Sequence, residues 1–156
     1  MAAERRRSTG TFEVERTTGS HAVVDRLFVY GTLRQGQTAR SLIANQITRC
    51  VAGHTPGCIY AFPMGHPGYS EIVTPAATGA SGRVLGEVLW LTELAATFGL
   101  LDAYEGEDFV RVITQVTLET GEQVWSWIYT LADPRATRHG TLIPDGDWVR
   151  YWTEQQ

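Results

Sequence analysis

The sequence predicts an α+β fold: a small mixed β-barrel of about six or seven strands with flanking helices. Two observations lead there. Short apolar or alternating segments of strand length follow one another, punctuated by Gly and Pro. Sustained helical spacing is clear in one segment, the one that begins at Leu94. Strands therefore mostly succeed strands, which is not the β–α alternation of a parallel sheet.

Residues 1–22 read as a flexible N-terminal arm, because Glu4-Arg5-Arg6-Arg7-Ser8-Thr9-Gly10 and Thr17-Thr18-Gly19-Ser20-His21 are polar and without period. One domain spans 23–156. Arg26 to Tyr30 is a strand ended by Gly31, and Thr38 to Ala44 a short helix. Ile47–Ala52 and Gly57–Phe62 are two strands, separated by Gly53 and Pro56. Pro63, Gly65, Pro67 and Gly68 mark a loop, Tyr69–Thr74 a strand, and Ala76–Gly82 a turn. Val84–Leu91 is a central strand. Thr92 is the expected N-cap of a helix carrying Leu94, Phe98 and Leu101, stopped by Gly106. Phe109–Leu118 alternates with period two, Glu119–Glu122 turns, and Val124–Leu131 returns with Trp125, Trp127 and Tyr129 on one face. Beyond Asp133-Pro134 the chain reads as irregular, with a turn at Pro144–Asp147 before Trp148.

At 156 residues the chain has room for one core. Its 13 basic and 17 acidic residues give a net charge of −4, which argues against nucleic-acid binding, where a basic surface supplies most of the affinity. No apolar run is long enough to span a bilayer, and no signal peptide is visible. Two cysteines make no disulfide framework. The expected location is the cytoplasm. Every basic residue is arginine; the absence of lysine removes Schiff-base chemistry and a P-loop.

Three groups of residues carry chemical interest. A strand that ends Tyr30-Gly31-Thr32-Leu33 can turn sharply and present successive N–H groups to an anion, although a plain turn is the commoner reading. Asp102, Glu105, Glu107 and Asp108 crowd the end of a helix, where acid opposes the macrodipole. Crowding and burial raise a carboxyl pKa, so one of them can serve as a proton shuttle, against the alternative of a solvated acidic turn. Cys50, His54 and Cys58, with His66 beyond, have no standard zinc spacing; structural roles outweigh a metal site. The tryptophans read mainly as core.

Phe28-Val29-Tyr30-Gly31-Thr32-Leu33-Arg34, Gly57-Cys58-Ile59-Tyr60, Pro67-Gly68-Tyr69, Gly86-Glu87-Val88, Leu101-Asp102-Ala103-Tyr104-Glu105-Gly106, Arg111, Trp127-Ile128-Tyr129 and Ile143-Pro144-Asp145-Gly146-Asp147-Trp148 occur in this order. The ordered set resembles the gamma-glutamyl cyclotransferase-like superfamily, most closely its short members that act on gamma-glutamylamines. The resemblance implies a small mixed β-barrel and an intramolecular aminolysis, in which the α-amine of a gamma-glutamyl group attacks its own side-chain amide and releases 5-oxoproline and an amine. It implies Glu105 as the catalytic residue, Tyr30, Gly31, Thr32 and Leu33 as the glutamyl-binding loop, Tyr129 as a pocket hydroxyl, and no metal or other cofactor. Arg111 is either near the site or a tie to Asp102 or Glu107, and Trp148 closes the barrel end. Phe109 stands where many relatives carry a tyrosine. The expected partner is a small gamma-glutamyl amide, selected at a mouth formed by 63–68, 75–82 and 134–147. The rivals are a binding module without catalysis and a hydrolase or transferase on the same scaffold.

Overall fold

The structure, a computed structural model, describes residues 23–63, 66–70 and 80–156. The arm expected over 1–22 and the last four residues, 71–74, of the strand expected at Tyr69–Thr74 lie outside them. Five strands close a barrel in the order β1-β5-β2-β6-β7: β1 Arg26–Val29, β2 Ile47–Pro56, β5 Arg83–Leu91, β6 Phe109–Leu118 and β7 Gln123–Leu131. Neighbours are antiparallel except β1 and β7, which pair in parallel at Leu27 and Trp127 and complete the closure. Three further strands, β3 Cys58–Ala61, β4 Pro67–Ser70 and β8 Thr141–Leu142, form a separate sheet in the order β4-β3-β8. The α+β mixed barrel is as the sequence predicts, but the barrel has five strands rather than six or seven, because β3 pairs with β4 and β8 instead of joining it.

β1, β5 and β7 bury apolar residues on both faces, and alternate residues feed two cores. Leu27 and Val29 of β1, Leu89 and Leu91 of β5, and Trp127 and Tyr129 of β7 pack with Phe98 and Leu101 of the helix α1 (Leu94–Glu105). Phe28, Val84, Val88, Val116, Leu118 and Ile128 pack with Ile59 and Tyr69 of the second sheet and with Trp148. Trp148 opens a helix that the sequence reading misses, α2 (Trp148–Glu154), whose N-cap Asp147 accepts a hydrogen bond from the Arg150 N–H at 3.2 Å. The ring of Trp148 is 1% exposed and stacks on Trp152.

Other expectations are corrected in detail. β2 runs unbroken through Gly53, which pairs with Gly86 on one side and Leu118 on the other. A Cβ there would stand 2.7 Å from the Thr117 carbonyl oxygen, so the glycine permits close strand approach rather than ending the strand. Thr38–Ala44 forms no α-helix but contributes to two 3₁₀ turns, Arg40–Leu42 and Ala44–Gln46. The N-cap of α1 is Glu93, in the left-handed region at φ 51°, and not Thr92. On β6, Val112, Val116 and Leu118 face the second core as expected, but Val110 is exposed. The turn at Glu119–Glu122 and the hairpin from β6 to β7 form as expected.

Candidate active site

Because β1 and β7 run in the same direction, their C-terminal ends emerge side by side. The C-terminal end of α1 arrives at the same place. Between them lies a cavity of about 260 Å³, lined by the end of β1, the loop from Tyr30 to Leu33, His66 and Pro67, Tyr104 and Glu105, Asp108 and Phe109, and Tyr129 of β7. It therefore gathers all six residues singled out as site candidates: Tyr30, Gly31, Thr32, Leu33, Glu105 and Tyr129.

The loop is a backbone device. The Gly31 carbonyl accepts from the Arg34 N–H at 3.0 Å and the Thr32 carbonyl from the Ala39 N–H at 2.9 Å. Among the described residues nothing accepts from the N–H groups of Gly31, Thr32 or Leu33. Such a run of donors next to a cavity suits an anion. Gly31 has a second role. A Cβ there would stand 2.2 Å from Cγ of Pro67, so the missing side chain lets the Pro67 ring close over the loop.

Glu105 is the last residue of α1, and Gly106 ends the helix at φ 75°. Burial, followed by the negative charge of Asp102, raises the Glu105 carboxyl from 4.5 to about 7. The negative end of α1 acts in the same direction. Asp102 lies three residues earlier, on the same helix face. It is held in turn by Arg111 of β6, whose Nε and NH2 donate to its two oxygens at 3.0 and 3.1 Å. The guanidinium sits 4.3 Å from the ring centres of both Phe98 and Trp127, which fixes it between two aromatic faces. Arg111 is thus the tie to Asp102 and does not line the cavity.

Two tyrosine hydroxyls are already engaged. Tyr129 donates to Oδ1 of Asp102 at 2.6 Å, and burial with that hydrogen bond holds the phenol protonated far above its ordinary range. Tyr30 donates to the Tyr129 carbonyl at 2.7 Å; burial first, then the nearby Glu105 carboxylate, raises it as well. Both therefore brace the wall of the cavity. At the mouth, Thr32 Oγ1 and the Tyr104 hydroxyl stand 3.1 Å apart.

Asp102 is the partner that sequence reasoning did not rank among four neighbouring carboxylates, although its i, i+3 spacing to Glu105 was a usable signal. His66, noted only as a metal candidate, lines the cavity, as does Phe109. No residue of 134–147 does, and the segment 71–79 lies outside the described residues. Cys50 is exposed on β2 and Cys58 buried on β3. Among the described residues no group of three or more His, Cys, Asp or Glu is placed to hold a metal ion. No described helix is long and apolar enough to cross a membrane. Asp102→Asn removes the second cause of the Glu105 shift and keeps the first. The expected result is a Glu105 midpoint below 7 but still above 4.5, read from its ¹³C carboxyl shift against pH.

Solved structures share this fold. YkqA of Bacillus subtilis is 22% identical and superposes with a TM-score of 0.64 over 84% of this chain, which spans 42% of YkqA. An AIG2-like protein of Mus musculus is 22% identical with a TM-score of 0.57, over 79% of this chain and 86% of its own. The protein PH0828 of Pyrococcus horikoshii is 20% identical with a TM-score of 0.58, over 83% of this chain and 94% of its own. These likenesses show the fold. No curated protein matches the sequence significantly. The family model described as gamma-glutamyl cyclotransferase, AIG2-like, matches residues 27–150, from β1 into α2, and the chain belongs to that family.

Proposed function

We propose that this protein is a gamma-glutamyl cyclotransferase that converts a small gamma-glutamyl amide to 5-oxoproline and a free amine, with Glu105 as its proton shuttle. The observation that carries the reading is Glu105: a half-buried carboxyl at a cavity wall with its pKa raised to about 7, beside a loop whose three N–H groups, from Gly31 to Leu33, have no acceptor among the described residues. Membership of a cyclotransferase family supports it.

The chemistry follows from those two features. The N–H groups of Gly31, Thr32 and Leu33 hold the α-carboxylate of the glutamyl group. Glu105, about half ionised at neutral pH, takes a proton from the α-ammonium. The free amine attacks the side-chain carbonyl carbon, and a tetrahedral intermediate forms. Glu105 then gives its proton to the departing nitrogen and the C–N bond breaks; the second proton of the attacking nitrogen passes by way of the Glu105 carboxylate to the released amine, so that a neutral five-membered lactam leaves with an ammonium. The nucleophile and carbonyl belong to one molecule, so holding the chain bent contributes much of the rate; orientation of this kind is worth up to about 7–11 kcal/mol.

The leaving amine extends toward the mouth, where His66, Tyr104 and Phe109 stand. Product analysis after incubation with gamma-glutamyl amines and gamma-glutamyl dipeptides tests the reading. The expected product is 5-oxoproline. Glutamate in its place would mean that water, not the α-amine, attacks, and binding without either product would mean a ligand-holding module.

A further inference from the structure

Glu87 lies on β5, outside the cavity lining, yet three parts of the neighbouring loop converge on it. Its carboxylate accepts from the Gln35 N–H at 3.1 and 3.3 Å and from NH1 of Arg40 at 2.9 Å, and it stands 3.8 Å from Nε of Arg34. The Cys50 thiol donates to it at 3.6 Å. The side chain is only 12% exposed. Glu87 is anchored in the barrel, since it pairs with Val29 of β1 and Ala52 of β2.

The consequence runs through peptide planarity. In a trans peptide the C=O of one residue points opposite to the N–H of the next. Arg40, held by Glu87, donates to the Leu33 carbonyl at 3.1 Å. That fixes the Leu33–Arg34 peptide, whose N–H donates to the Gly31 carbonyl at 3.0 Å. The Gly31 carbonyl then fixes the Thr32 N–H on the opposite side. The Arg34 carbonyl is engaged too, by the Gln37 N–H at 3.0 Å, and NH1 of Arg34 reaches Asp147, the cap of α2, at 3.1 Å. The carbonyls of residues 31 to 34 are all engaged within the protein, while the N–H groups of 31 to 33 have no acceptor among the described residues and face a ligand.

We infer that Glu87 is a positioning residue: through the Gln35 N–H and through Arg40 it sets the orientation of the Thr32 and Leu33 N–H groups, and so the affinity for the substrate's carboxylate. The inference rests on the cyclotransferase reading of the cavity. It has a sign that separates it from simple electrostatics. Glu87 is a negative charge near a proposed anion site, so by charge alone its neutralisation strengthens carboxylate binding. By positioning, neutralisation weakens it, because a charge-assisted hydrogen bond that orders the loop is lost; such a loss corresponds to about tenfold or more in affinity.

The experiment is calorimetric titration of gamma-glutamyl methylamide into E105Q and into E105Q/E87Q, with kcat and KM measured for wild type and E87Q. The expected result is binding weakened about tenfold or more by E87Q, a matching rise in KM, and an unchanged pH midpoint of turnover, since Glu105 is untouched. Binding unchanged or tighter in E105Q/E87Q overturns the inference and leaves the cyclotransferase reading standing. If wild type neither binds nor turns over the amide, that reading fails and the inference with it. Should E87Q fold poorly, R40Q carries the same test: it removes the tether on the Leu33 carbonyl, keeps the Glu87–Gln35 bond, and is expected to weaken binding in the same direction.

Discussion

Glu105→Gln leaves a folded protein that still binds a gamma-glutamyl amide and turns it over about 10² to 10⁴ times more slowly, the range associated with loss of a general acid–base group. The amide is nearly the same shape as the carboxyl, so the cavity and the loop at Gly31–Leu33 keep their form. What is lost is the ability to accept a proton from the α-ammonium and return it to the leaving nitrogen. The loss therefore falls on kcat, with binding close to that of wild type. Steady-state assay of 5-oxoproline release checks it, and activity within a few-fold of wild type rules out the role assigned to Glu105.

The same substitution makes the protein more stable at alkaline pH. Glu105 has a folded pKa of about 7 against an ordinary 4.5, so the folded state holds a proton that the unfolded state has already released. A raised carboxyl pKa contributes stability that is fully present below about 4.5 and is lost as pH rises to 7. Above 7 the folded state carries a half-buried carboxylate at a cost of up to about 3 kcal/mol. Gln cannot ionise and escapes that cost. The stability gap between E105Q and wild type is therefore expected to grow in favour of E105Q between pH 4.5 and 7 and to level off above it. Denaturant midpoints at pH 4, 6 and 8.5 measure this. A gap that does not change with pH means that Glu105 is not buried as a weak acid. The two results together describe a residue kept for chemistry at the expense of stability.

Much of the site was legible because its signals are local. A strand ending Tyr30-Gly31-Thr32-Leu33 and a helix ending in crowded acid each announce themselves within a few residues, and the barrel brings the two together. Pairing at a distance was legible only in part. For Arg111 the sequence left open a place near the site or a tie to Asp102 or Glu107; the tie to Asp102 is the one that forms, with Phe98 and Trp127 closing around the guanidinium. The two-residue strand β8 exists only because Thr141 and Leu142 meet Ala61 and Tyr60. α2 was missed for a different reason. At seven residues it is too short to show a period, and its stability comes from burying Trp148 rather than from helix propensity. Gly53 misled the reading of β2, since a glycine that permits close strand approach and one that ends a strand look alike in sequence.

The central claim is that the ionisation of one half-buried carboxyl controls the reaction. It is tested most directly by following the Glu105 carboxyl by ¹³C NMR from pH 4 to 9 and measuring kcat/KM for 5-oxoproline release over the same range. The account predicts one shared midpoint near 7, with the rate falling as Glu105 takes up its proton. A carboxyl that titrates near 4.5, or a rate indifferent to its titration, contradicts it.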